Sequence, residues 1–94
     1  MRVRWLRAAV ANLITETEYI ARDNSAAAAR VEANIKRGVE ELRRFPSLGR
    51  PGRVVGTREL VIPGTPYIIP YRVRGDTIEI LRVFHTARRW PEKF

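Results

Sequence analysis

Cysteine is absent from the 94 residues. Neither a disulfide nor a thiolate metal site can therefore brace the fold, and a cytoplasmic home is the expectation that fits. There is one histidine, too few for the usual metal-ligand clusters, so no metal or other cofactor is expected. No apolar run comes near the roughly 18 residues that a bilayer span requires, which excludes a membrane partner at this level. The apolar residues of Met1–Leu6 alternate with arginines, unlike the core of a signal peptide. The phosphate-binding GxGxxG and P-loop strings, the HExxH zinc motif and the nucleophile elbow are all missing. No two carboxylates fall in an arrangement that suggests a glycosidase or protease pair.

What the chain has in excess is positive charge. Eighteen Lys+Arg stand against ten Asp+Glu, a net charge of +8. Sixteen of the eighteen cations are arginine. Residues 1–42 hold seven cations and six acids, whereas residues 43–94 hold eleven cations and four acids. The C-terminal half therefore carries nearly all of the positive field. Arginine clustered in this way is the footprint of a polyanion partner, either phosphates or an acidic protein segment.

The length suits a single domain over residues 1–94. Residues 2–5 alternate as a short strand. Leu6, Ala9, Val10, Leu13, Ile14, Thr17, Ile20 and Ala21 then recur at helical spacing, an amphipathic stripe. Asp23–Ser25 ends that helix and offers an N-cap to the next. The second stripe is Ala28, Val31, Ile35, Gly38, Val39, Leu42 and Phe45, with Pro46 as the stop. The two helices should form an antiparallel hairpin, with Leu13, Ile35 and Leu42 in the core and Gly38 marking a close approach between the helices. A Gly/Pro-rich loop occupies residues 46–53. Strands are predicted over Thr57–Ile62, Tyr67–Val73 and Thr77–Phe84, with Gly75-Asp76 as a hairpin signal. Pro70 breaks the ladder of the middle strand unless a bulge accommodates it. The expected fold is α+β, in the order β-α-α-β-β-β. The helical hairpin should pack on one face of a small, mainly antiparallel sheet.

The candidate chemistry is basic and aromatic. Arg72 and Arg82 lie on predicted strands, with Glu59 and Glu79 available as cross-strand partners. His85, Arg88, Arg89 and Trp90 follow the last strand. Strict alternation puts Ile78, Ile80, Arg82 and Phe84 on one side and Glu79, Leu81, Val83 and His85 on the other. RNA cleavage through the 2′-hydroxyl needs a base, an acid and cations around the phosphate. Arg72, Arg82 and His85 would supply the cations and one proton transfer; no second proton-transfer group is evident.

Three strings, Gly56–Val61, Tyr67–Val73 and Ile80–His85, together with Tyr19–Ala21 and Arg88–Pro91, resemble toxins of the RelE/ParE superfamily. The likeness covers nearly the whole chain, and the Tyr19–Asp23 and His85–Pro91 segments are ParE-like. It implies the β-α-α-β-β-β fold and a cognate antitoxin, for which an acidic C-terminal segment is expected. It also implies one of two activities. ParE-like members poison DNA gyrase; RelE-like members cut messenger RNA on the ribosome. Some RelE-like nucleases place an arginine and a histidine where Arg72 and His85 stand, but Thr86 occupies a position where several of them carry tyrosine. Gyrase poisoning, with Arg88, Arg89 and Trp90 contacting the target, is the leading expectation. The alternatives are RNA cleavage and a non-toxic basic nucleic-acid-binding module.

Overall fold

The computed structural model describes residues 1–87 and 89–94. Its elements are β1 (Arg2–Trp5), α1 (Arg7–Ala21), α2 (Ser25–Glu41), β2 (Arg50–Pro51), β3 (Arg58–Val61), β4 (Tyr67–Arg74), β5 (Thr77–Ile80) and β6 (Phe84–His85). The sheet runs β1-β5-β4-β3-β2, with β6 on β4. Among the described residues, only the β1–β5 pair is parallel. No helix among the described residues is long and apolar enough to cross a membrane.

The helices form for the reasons read from the sequence. The Asn24 side chain caps α2 by accepting the Ala27 N–H at 2.9 Å, and the alanine run behind it carries the highest helix propensity. Ala9, Leu13, Ile35, Val39 and Leu42 meet Leu60, Tyr67, Ile69, Tyr71, Ile78, Ile80 and Val83 in one core. Burying each of the larger aliphatic side chains stabilises the fold by about 1.5–3 kcal/mol. Val10 and Ile14, expected on the buried stripe, are instead exposed at 40% and 51%. A 15-residue helix lying on a small sheet buries a narrower arc than the stripe suggested.

Gly38 does mark a close approach, but to the sheet and not to α1. A Cβ there would come within 2.8 Å of Ile62 Cδ1. α2 also ends before Phe45, which is 51% exposed. The residue 46–53 loop contains β2, whose two residues pair with the start of β3.

The main departure lies opposite Pro70. Tyr71 faces Ile80, yet Ile68 faces Phe84. Ile69 and Pro70 on β4 therefore stand against Leu81, Arg82 and Val83, two residues against three. This is the bulge that Pro70 required, and it falls in the facing strand. Proline has no N–H to give; its carbonyl accepts the Leu81 N–H at 2.9 Å. The Val83 N–H, displaced from the ladder, donates to Asn12 Oδ1 on α1 at 3.1 Å. The predicted third strand is thus split into β5 and β6, and its alternation is inverted. Val83 and His85 share the helix-packed face with Ile78 and Ile80, while Arg82 and Phe84 turn to the other side.

Candidate functional site

The sheet face turned away from the helices collects most of the strand arginines. Two buried glutamates organise them. Glu79, directly across from Arg72, accepts the Arg72 Nε–H at 2.6 Å and has Arg74 Nε at 3.5 Å. The Arg72 hydrogen bond holds the Glu79 carboxyl below the usual carboxylate range, and the charges of Arg72, Arg74 and Arg4 act in the same direction. On the other flank of β4, Glu59 is only 2% exposed. It accepts the Arg53 backbone N–H at 2.7 Å and has the Arg50 and Arg53 guanidinium groups at 3.2 and 3.8 Å. Each carboxylate is outnumbered by the guanidinium groups it orients. Glu79 pairs with Arg72 as cross-strand alternation suggests, whereas Glu59 pairs with neither Arg72 nor Arg82 but with Arg50, its register partner on β2, and with Arg53 of the loop.

The same face receives the tail. The Trp90 ring packs edge-on against Phe84, centroids 4.8 Å apart, and Phe94 stacks on Phe84 at 6.0 Å. Arg53 lies over the Trp90 ring at 4.1 Å, and Arg82 lies over Phe94 at 5.5 Å. Trp90 is thus half-buried as an anchor, whereas Arg89 is exposed. The buried Trp90 Nε1–H has no acceptor among the described residues. Arg88 lies outside the described residues. Sequence reasoning missed Arg53 as the cover of Trp90 and Phe94 as a partner of Phe84; the β2–β3 register, which sets Glu59 opposite Arg50, was the signal that could have pointed to the Glu59 cluster.

His85 sits on the opposite side of the sheet. It faces Tyr67 across the β4–β6 ladder, with the rings edge-on at 5.6 Å. The Tyr67 hydroxyl donates to Glu16 Oε1 on α1 at 3.1 Å. Glu16, Tyr19, Ile20, Val31, Pro66, Tyr67 and His85 line a pocket of about 480 Å³. The Ala87 N–H donates to His85 Nδ1 at 3.1 Å. In the neutral ring, that bond leaves the proton on Nε2. Of the three residues considered for cleavage, the fold brings Arg72 and Arg82 to one face and sets His85 on the other. Among the described residues, no group of three His or acidic side chains could hold a metal ion.

Comparison with known proteins gives a consistent set of relatives. The family model described as the ParE toxin of the type II toxin–antitoxin system parDE matches residues 3–90. A candidate toxin of Sinorhizobium fredii, Y4kP, is 47% identical over 91 residues, covering 97% of this chain and 94% of its own. Toxin RelE2 of Caulobacter vibrioides is 31% identical over 87 residues, covering 93% and 97% respectively. A solved chain from the chromosomal ParDE TA system of P. aeruginosa superposes with a TM-score of 0.81 at 31% identity, over 90% of this chain and 95% of that one.

Proposed function

This chain belongs to the ParE toxin family of type II toxin–antitoxin systems, and from that membership we propose that it arrests bacterial growth by poisoning DNA gyrase through a binding surface. The observation that carries this reading is the separation of His85 from Arg72 and Arg82 by the thickness of the sheet. Cleaving RNA requires the proton-transfer group and the cations to converge on one phosphate. Here the cations face away from the only histidine. The His85 Nδ1 lone pair is also engaged by the Ala87 N–H, so in the neutral ring Nε2 carries the proton and presents a donor, not an acceptor. A poison that only binds needs no such convergence. Its energy concentrates in a few arginine and aromatic side chains, and Arg89 and Trp90, with Arg88 beside them in sequence, are such residues.

An antitoxin accompanies toxins of this family. We expect its C-terminal segment to be acidic and amphipathic. Its charge would speed association with the basic half of this chain, and its apolar residues would slow release.

Growth arrest, gyrase-linked DNA cleavage and primer extension on messenger RNA test the reading together. His85→Ala should leave arrest and gyrase-linked cleavage nearly intact. Replacing Arg88, Arg89 and Trp90 together with alanine should abolish both while antitoxin binding persists. Codon-positioned RNA cuts that disappear in His85→Ala, by the roughly 10²–10⁴-fold expected for loss of a proton-transfer group, would overturn it.

A further inference from the structure

We propose that the two glutamate-centred arginine clusters form a preorganised site for the phosphate backbone of duplex DNA. Resting on the gyrase reading, the inference gives this face the DNA that gyrase holds as its ligand.

The argument begins with what the glutamates do. Glu59 and Glu79 are buried, at 2% and 7% exposure, and their bonds go to arginines. The side chains of Arg50, Arg53 and Arg74 remain 52%, 49% and 65% exposed. A guanidinium offers five donors in a fixed fork, and a carboxylate contact at one edge leaves the others for a second anion. Arginine normally loses much rotamer freedom on binding; a side chain already held by a buried carboxylate loses less. Each cluster also stays net positive, since one carboxylate faces two guanidinium groups, with Arg4 adding its charge at Glu79.

The placement suits a duplex. Glu59 stands opposite Pro70 and Glu79 opposite Arg72, so the clusters flank β4. Two strand spacings and a two-residue offset put their centres about 12 Å apart. That matches the ~12 Å width of the major groove, whose edges are lined by phosphates. An acidic peptide fits this face less well, because a peptide needs apolar seats. One apolar pocket borders the outer side of the Glu59 cluster, where Arg50 and Glu59 line it together with Gly38, Leu48 and Val61, and another lies on the helices around Val10 and Ile14; neither is lined by a residue of the Glu79 cluster. The tail aromatics border the arginine clusters, so one surface could touch gyrase and its DNA together.

The test is fluorescence anisotropy with a labelled DNA duplex of about two helical turns. With about four phosphates neutralised, affinity should fall about 100-fold between 50 and 200 mM salt. Arg74→Gln and Arg4→Gln should each weaken binding and reduce the log–log salt slope by about 0.9. Glu79→Ala separates preorganisation from mere charge. It raises the net charge by one, so simple attraction would tighten binding; loss of the clamp should weaken it several-fold. Circular dichroism checks that Glu79→Ala folds, and the two arginine variants, altered at exposed side chains, decide the matter if it does not.

No saturable duplex binding, unchanged slopes in the arginine variants, or tighter binding by folded Glu79→Ala would overturn the proposal. So would tighter binding of an RNA duplex of equal length, or displacement of the DNA by poly-glutamate at equal charge concentration. Gyrase-linked cleavage is scored separately. Its persistence in an Arg4→Gln/Arg74→Gln variant that no longer binds DNA would sink this inference and leave the gyrase reading standing. DNA binding without any gyrase-linked cleavage would do the reverse.

Discussion

Tyr71→Phe should be among the most costly small changes in the chain. The Tyr71 side chain is fully buried. Its hydroxyl donates to the Pro46 carbonyl at 2.8 Å and accepts the Gly49 N–H at 2.8 Å. Burial raises its pKa above that of an ordinary phenol, against the opposing pull of the Gly49 N–H and Arg58, so the neutral hydroxyl is the form the site is built for. Phenylalanine keeps the ring and its packing, so the measured loss belongs to the hydroxyl. Two backbone groups lose their partner, at about 1–3 kcal/mol for each one left unsatisfied. The Pro46 end is only partly buried and recovers some water, which puts the sum at about 2–4 kcal/mol. A domain this small has about 5–10 kcal/mol in total, and each kcal/mol shifts Tm by about 4–8 °C. Thermal melts followed by circular dichroism should therefore fall by about 10–25 °C. A drop of only about 2 °C, well under the shift for a single kcal/mol, would show that the hydroxyl does not pin the residue 46–49 loop to β4.

Glu59→Gln should loosen the tail at a distance: in a Trp5→Phe background, Trp90 emission should move to longer wavelength as Arg53 loses its anchor, at a stability cost of about 1–2 kcal/mol. An unchanged spectrum would mean that Arg53 stays over the ring without Glu59. Glu79 predicts an acid limb. Its folded pKa is depressed, so its stabilisation is complete above the ordinary carboxylate pKa and disappears as pH falls through the lowered folded value. Urea midpoints of the native chain and Glu79→Gln should differ at pH 6 and converge in acid below about pH 4; a gap that does not depend on pH would refute the assignment.

Much of this was legible in the chain because local signals agreed. The stripes containing Leu13, Ile35 and Leu42, the Asn24 cap and the Gly75-Asp76 turn each specify their element without help from the rest. The α+β fold with a helical hairpin on a mainly antiparallel sheet follows from them. What could not be read depended on long-range partners. Gly38 announced a close approach, but only the folded chain shows Ile62 as the neighbour. Pro70 announced a bulge, but alternation along one strand says nothing about whether the extra residue enters that strand or its partner. Because it entered the partner, the faces of Arg82, Val83, Phe84 and His85 are the reverse of those that strict alternation predicts. The tail aromatics were visible as residues, yet the cation that covers Trp90 comes from Arg53, far away in sequence.

The bulge makes the surface of this protein a matter of parity. Ile80 and His85 are an odd number of positions apart and still point the same way. Had β5 run unbroken into β6, keeping the register of Tyr71 with Ile80, Phe84 would stand against Tyr67, His85 would emerge on the face of Arg72, and Arg82 would turn in toward the helices. The composition would be identical; the exposed chemistry would not. Pro70, by refusing one ladder bond, acts as the switch between two readings of a single string. Aligning relatives of this chain by residue type alone would therefore compare side chains that face opposite ways whenever one has the extra residue and the other lacks it. Counting positions between the last core isoleucine and the histidine, with an eye on the proline across from them, sorts the two kinds.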